Sequence, residues 1–154
     1  MLETPHVIVA AAIAVNVANP ALAIPLALGS HFVLEKIPHW NPHLNTELKK
    51  YGKITSQSTN IVIADSALAL SLGGLTAYIM LPDVGLALTV LLACFVAVMP
   101  DLIEAPYYFL RKNSDFIVKK WIPFKKSVQI DASKGFGLLT QLLVVLASIW
   151  WILT

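Results

Sequence analysis

The sequence predicts an all-α fold: one polytopic membrane bundle of about five helices, the first of them short, with a cytoplasmic N-terminus. Three observations predict it. Of the 154 residues, 57% are hydrophobic and only 13% are charged, and the mean hydropathy is +0.73; a water-soluble domain carries about a quarter charged residues. The apolar residues come in long blocks and lack the rhythm of a half-buried strand or a surface helix. Finally, all 11 basic residues fall on one side of a five-span count, the side that holds the N-terminus, the 38–56 loop and the 111–134 segment. Positive charge marks the cytoplasmic side of short membrane loops.

Each element has a local reason. Thr4 and Pro5 fit an N-cap and a first helical position, because proline gives up only an N–H that is orphaned there anyway. The first helix then runs over about 5–18, short of the roughly 20 residues of a full span, with an alanine-rich middle suited to close packing. Asn19-Pro20 turns the chain into a second helix ending near Lys36. Residues 38–56 read as a polar loop containing His43. A third helix covers about 58–81, with Gly73-Gly74 marking close helix contact, and Leu81-Pro82-Asp83 makes a tight turn. The fourth, about 84–110, is interrupted at Pro100 and Pro106, each of which removes an intrahelical bond. Residues 111–134 interleave lysines with Phe116, Ile117, Val118, Trp121, Ile122 and Phe124, as expected at a lipid surface. The last helix covers about 134–153 and places Trp150-Trp151 at an interfacial belt.

The chain reads as a single integral domain, 1–154. Cys94 stands alone in an apolar run, so no disulfide framework exists. The N-terminus lacks the basic region of a signal peptide and is expected to be retained. No phosphate-binding glycine loop occurs, and the lysine pairs lack the framework of a nucleic-acid site.

The polar residues converge. His31, Glu35 and His39 recur at intervals of four; on a helix such positions stack on one face, although Pro38 disfavours helical geometry at Ile37 and turns His39 into the loop. His6 opens the first helix on the same side, Asp65 lies about two turns into the third, and Asp101 and Glu104 lie near the end of the fourth. An ionised side chain near a bilayer centre costs about 2.5–3.5 kcal/mol even on the lenient scale. Asp65, Asp101 and Glu104 carry that cost with no Lys or Arg inside any span. Protonation, a water-filled cavity or a bound cation would relieve it. Imidazole with carboxylate suits zinc or another transition metal and not calcium, so His6, His31, Glu35, His39, Asp65 and Asp101 are the candidate ligands of one or two divalent ions. Glu104, with Asp65 beside it, is the candidate general base.

Thr4-Pro5-His6, Asn19-Pro20, the run from Ser30-His31 through Glu35 to Pro38-His39-Trp40, and Pro100-Asp101 together resemble the small inner-membrane metal-dependent hydrolases that include SOS-induced, LexA-regulated bacterial members. The resemblance covers about half of the chain, and each motif is short. It implies a metal site at His6, His31, Glu35 and Asp101 and a hydrolase activity. Two departures stand out: Glu35 replaces the family's usual Asp, and the His-Arg-Gly-x-Thr-His segment after Pro-Asp is absent, Leu102-Ile103-Glu104-Ala105-Pro106 standing in its place.

The expected function is therefore metal-dependent hydrolysis at the cytoplasmic leaflet of a bacterial-type inner membrane, on a phosphate-bearing lipid or related ester drawn in by the basic loops. A divalent-metal or proton transporter and a non-catalytic membrane scaffold are the rivals. The first needs polar residues in both halves of the bundle; the second predicts no metal.

Overall fold

A computed structural model describes residues 1–112 and 114–154. The helices are α1 (Glu3–Val17), α2 (Pro20–Leu34), α3 (Leu44–Tyr51), α4 (Ser56–Ile79), α5 (Val84–Leu102), α6 (Ala105–Leu110), α7 (Ile122–Val128), which continues a π-helical turn at Ile117–Trp121, and α8 (Lys134–Leu153). The five long apolar segments are thus all helical.

Three of them, α4, α5 and α8, are long and apolar enough to cross a membrane. α1 and α2, with 15 residues each, rise about 22 Å at 1.5 Å per residue, less than the roughly 30 Å of a hydrocarbon core. α1 lies at the centre of the bundle. It packs against α2, α4, α5 and α8, and Ala10, Ala11, Ala12 and Ala14 are fully buried. Methyl-sized side chains let four neighbours approach one helix closely. The outer surface is leucine-rich instead: Leu70, Leu88, Leu92 and Leu143 are exposed, which suits lipid as the solvent.

Caps set the boundaries. Asn19 accepts from the Ala21 N–H, Thr55 from Ser58 and Asp83 from Leu86, each relieving an orphan donor at a helix start. Thr4 does not act as the N-cap of α1. The helix begins two residues earlier, after Leu2, which offers no side-chain cap. Asp65 of α4 does the capping from outside: its carboxylate accepts from the Glu3 N–H at 2.6 Å, the Thr4 N–H at 3.3 Å and Thr4 Oγ1 at 2.7 Å.

Two other expectations change. The 38–56 loop contains α3, whose Glu47 accepts from the Thr55 N–H and Ser58 Oγ and so ties α3 to the start of α4. The fourth helix does not run on to Leu110. After Pro100 the chain turns at Ile103-Glu104, and Pro106 enters α6 in its first turn, where a missing N–H is harmless. Of the glycine pair, Gly73 meets Val7 and Cys94 closely while Gly74 faces open space.

Residues 114–134 of the basic segment fold back as a strap across one end of the bundle. Trp121 Nε1 donates to the Pro100 carbonyl at 3.1 Å, the Phe124 ring lies 5.9 Å from that of Phe32, and Phe116, Val118, Lys119 and Lys120 stay exposed. Lysines beside exposed apolar side chains are the composition of an in-plane interfacial segment.

Candidate metal centre

Helix ends bring the polar residues together beneath that strap. His6 comes from the start of α1, His31 from the last turn of α2, Glu35 from its C-cap, and Asp101 from the last turn of α5. His39 arrives from the loop after Pro38. Its backbone is held in a short ladder: the His39 N–H donates to Ile130 O at 3.1 Å, and the Ala132 N–H donates to His39 O at 2.8 Å. Gln141 of α8 closes the assembly, accepting from the Leu2 N–H and donating to the Trp40 carbonyl.

His6, His31 and Asp101 each offer one ligand atom within 4.8 Å of the other two. The His6 and His31 rings stack at 4.1 Å, 20° from parallel. His31 Nδ1 donates to the Ala97 carbonyl at 2.8 Å, so Nδ1 carries the proton and the Nε2 lone pair is left free for a cation. His39 repeats the device, with Nδ1 on the Ile37 carbonyl at 2.8 Å. Burial also pushes the His39 imidazole below its ordinary pKa, which keeps it neutral at pH 7. Glu35 lies between the histidines: Oε1 is 3.3 Å from His6 Nε2, and Oε2 is 3.7 Å from His39 Nε2. Oε1 also meets the Met1 amino group.

The donor atoms fit a cation. His6 Nδ1 and Nε2, His31 Nε2, His39 Nε2 and Asp101 Oδ2 are all buried without a hydrogen-bond partner. An unsatisfied buried polar atom costs about 1–3 kcal/mol, and several in one place are rare in a native interior. Imidazole nitrogens with a carboxylate oxygen form a zinc-type set. The chain thus holds a possible metal-binding cluster at His6, His31 and Asp101, with Glu35 and His39 adjoining it.

Asp65, expected among the ligands, has both carboxylate oxygens engaged by the N-terminus of α1 and stands outside this group; it fixes the helix that carries His6. Asp65→Ala is therefore expected to lower stability by about 1–2 kcal/mol, the worth of a helix cap, with metal content unchanged. Thermal unfolding and elemental analysis of the same sample check this. His43 stays in the loop before α3.

The expectation that the buried acids have no lysine or arginine partner needs correction. Lys125, on α7, forms an ion pair with Asp101 Oδ1 and lies 3.6 Å from Glu104 Oε1. It was hidden because it belongs to no span. Its signal in the sequence is helical spacing: Lys125 lies four residues after Trp121 and shares its face, so it follows the indole onto the bundle. Burial pulls the Lys125 ammonium below its ordinary pKa, while the carboxylates of Glu35 and Glu3 oppose this.

Glu104 sits in the turn after α5, buried, with Oε1 accepting no hydrogen bond. Burial pushes its carboxyl up to about 7. A cavity of about 390 Å³ opens at this end, lined by Glu3, Glu35, Asp101, Glu104, Tyr108 and Lys125 among others. No family model, curated protein or solved structure matches the chain.

Proposed function

We propose that the chain is a membrane-embedded metal-dependent hydrolase whose site opens to the cytoplasmic leaflet of a bacterial-type inner membrane, with the basic loops and N-terminus in the cytoplasm. One observation carries the reading: buried imidazole nitrogens of His6 and His31 and an oxygen of Asp101, none of them in a hydrogen bond, lie within 4.8 Å of one another. Those three residues would hold a divalent ion, zinc first, and Glu35 and His39 would complete the set or hold a second ion. The resemblance to small inner-membrane metal-dependent hydrolases supports the same assignment, and the substrate class is a phosphate-bearing lipid or related ester. A bound divalent ion supplies Lewis acidity, polarising an ester oxygen and acidifying water.

The chain's own residues do the rest. Ala97 and Ile37 fix the tautomers of His31 and His39 through their carbonyls. Asp65 anchors the first turn of α1 and with it His6. Glu104, rather than Asp65, takes the proton from the attacking water, because its Oε1 accepts no hydrogen bond and burial pushes its carboxyl up to about 7, where a general base is most effective.

Ester turnover by zinc-loaded protein is expected to rise with pH through about 7, as the Glu104 carboxylate ionises. Glu104→Gln is expected to cut the rate by about 10²- to 10⁴-fold and to abolish that limb. A Glu104→Gln protein that kept the limb would remove Glu104 from the role. Zinc uptake into proteoliposomes without ester turnover would assign the site to transport.

A further inference from the structure

Lys125 is a buried side chain of this end whose placement hydrolysis by an ion and a base leaves unused. It is 8% exposed, although lysine is almost never buried without a reason. The strap holds it there through flanking contacts, Trp121 on the carbonyl of Pro100 and Phe124 on Phe32, which neighbour Asp101 and His31 in the chain. The ammonium rests on Asp101 Oδ1, beside Glu104 Oε1, and faces the 390 Å³ cavity. That volume lies in the range of small-molecule pockets and accommodates a headgroup.

Asp101 is shared. Its Oδ1 meets Lys125, while its partnerless Oδ2 lies 3.8 Å from His31 Nε2, where a cation would sit. A divalent charge and an ammonium on one carboxylate repel each other strongly in a buried site. Loading the centre therefore weakens the hold of Asp101 on Lys125 and leaves a buried ammonium in need of an anion. Its four-carbon stem is flexible and its three donors suit phosphate oxygens. The exposed Phe116, Val118 and Phe124 of the same strap would keep the apolar part of an amphiphile in the lipid while its headgroup enters the cavity.

We propose that Lys125 is the phosphate-binding residue of this site, so that the substrate is a phosphate ester and not an uncharged carboxylic ester; this rests on the hydrolase reading above. Asp101 and Glu104 park the ammonium, and the substrate's phosphate oxygens replace Asp101 as its acceptor.

The test is calorimetric binding to zinc-loaded full-length protein in detergent, with zinc content measured on the same samples. The probes are orthophosphate, dihexanoyl phosphatidylglycerol and phosphate-free dihexanoylglycerol. Wild type is expected to bind both phosphate probes. Lys125→Met is expected to weaken both by about 10- to 100-fold, the worth of one charge-assisted hydrogen bond, while leaving dihexanoylglycerol and zinc content unchanged; Lys125→Arg recovers part of the loss. Unchanged phosphate affinity in Lys125→Met, or equal weakening of all three probes, would overturn the assignment of Lys125 alone. Orthophosphate binding with phosphatidylglycerol excluded would overturn the lipid ester as its ligand. A wild type that holds no zinc would overturn the hydrolase reading itself.

Discussion

His31→Ala is expected to strip the protein of its metal. The His31 ring is fully buried, its Nδ1 is fixed by Ala97 and its Nε2 has no protein partner, so the side chain is preorganised for a cation and for little else. Removing a partner that merely orients a metal ligand costs about 10- to 100-fold in affinity; removing the ligand itself is expected to cost more. The variant also loses the stacked contact with His6 at 4.1 Å, which leaves the second imidazole free to turn away. Elemental analysis of purified wild type and variant, with helical content followed by circular dichroism, is expected to show near-stoichiometric metal in the first, almost none in the second, and the same fold in both. Equal metal in the two would take His31 out of the centre.

The second large effect comes from a residue without a side chain. A Cβ on Gly137 would lie 2.3 Å from the Trp40 nitrogen, 2.6 Å from the His39 carbonyl carbon and 2.7 Å from Trp40 Cβ. Two of these are backbone atoms, and the chain they belong to is held by Ile130 and Ala132, so it has nowhere to retreat. Overpacking a tight interior ordinarily costs about 1–3 kcal/mol. Gly137→Ala is expected to reach or exceed the upper end, because α8 must separate from the 38–40 segment or that segment must break its ladder. Either movement displaces His39 and unseats the Gln141 bond to Trp40. The control is Gly74→Ala, where a Cβ meets nothing and the helix gains up to about 1 kcal/mol from propensity. Thermal unfolding in detergent is expected to place the two variants on opposite sides of wild type; Gly137→Ala unfolding like wild type would refute the close approach.

Both effects show what the sequence carries and what it does not. The long apolar blocks and their proline punctuation place α1, α2, α4 and α8 to within about two residues, since lipid burial is written into composition. The His31-x-x-x-Glu35 spacing and the Pro100-Asp101 pair point to the candidate cluster because helical periodicity puts such residues near one end of the bundle. Gly137 gives no local signal at all: its close neighbour lies about 100 residues earlier in the chain, and only packing reveals the contact. Lys125 is the instructive case. A lysine in a basic loop reads as solvated, and its recruitment to Asp101 follows from Trp121 and Phe124 docking the strap, a tertiary event that overrides composition. Asp65 is similar in kind. Its depth in α4 marks it as a ligand candidate, whereas its task is set by the two orphan N–H groups of α1 that meet it, a helix start with no cap of its own.

The central claim is that imidazoles from two helices and a carboxylate from a third share one cation. X-ray absorption at the zinc edge of the purified, zinc-loaded protein tests it most directly. The expected spectrum shows about 2.0 Å Zn–N distances with the outer-shell scattering of at least two histidine rings, one of them lost in His31→Ala. A zinc environment built only of oxygens, unchanged by that substitution, would contradict it.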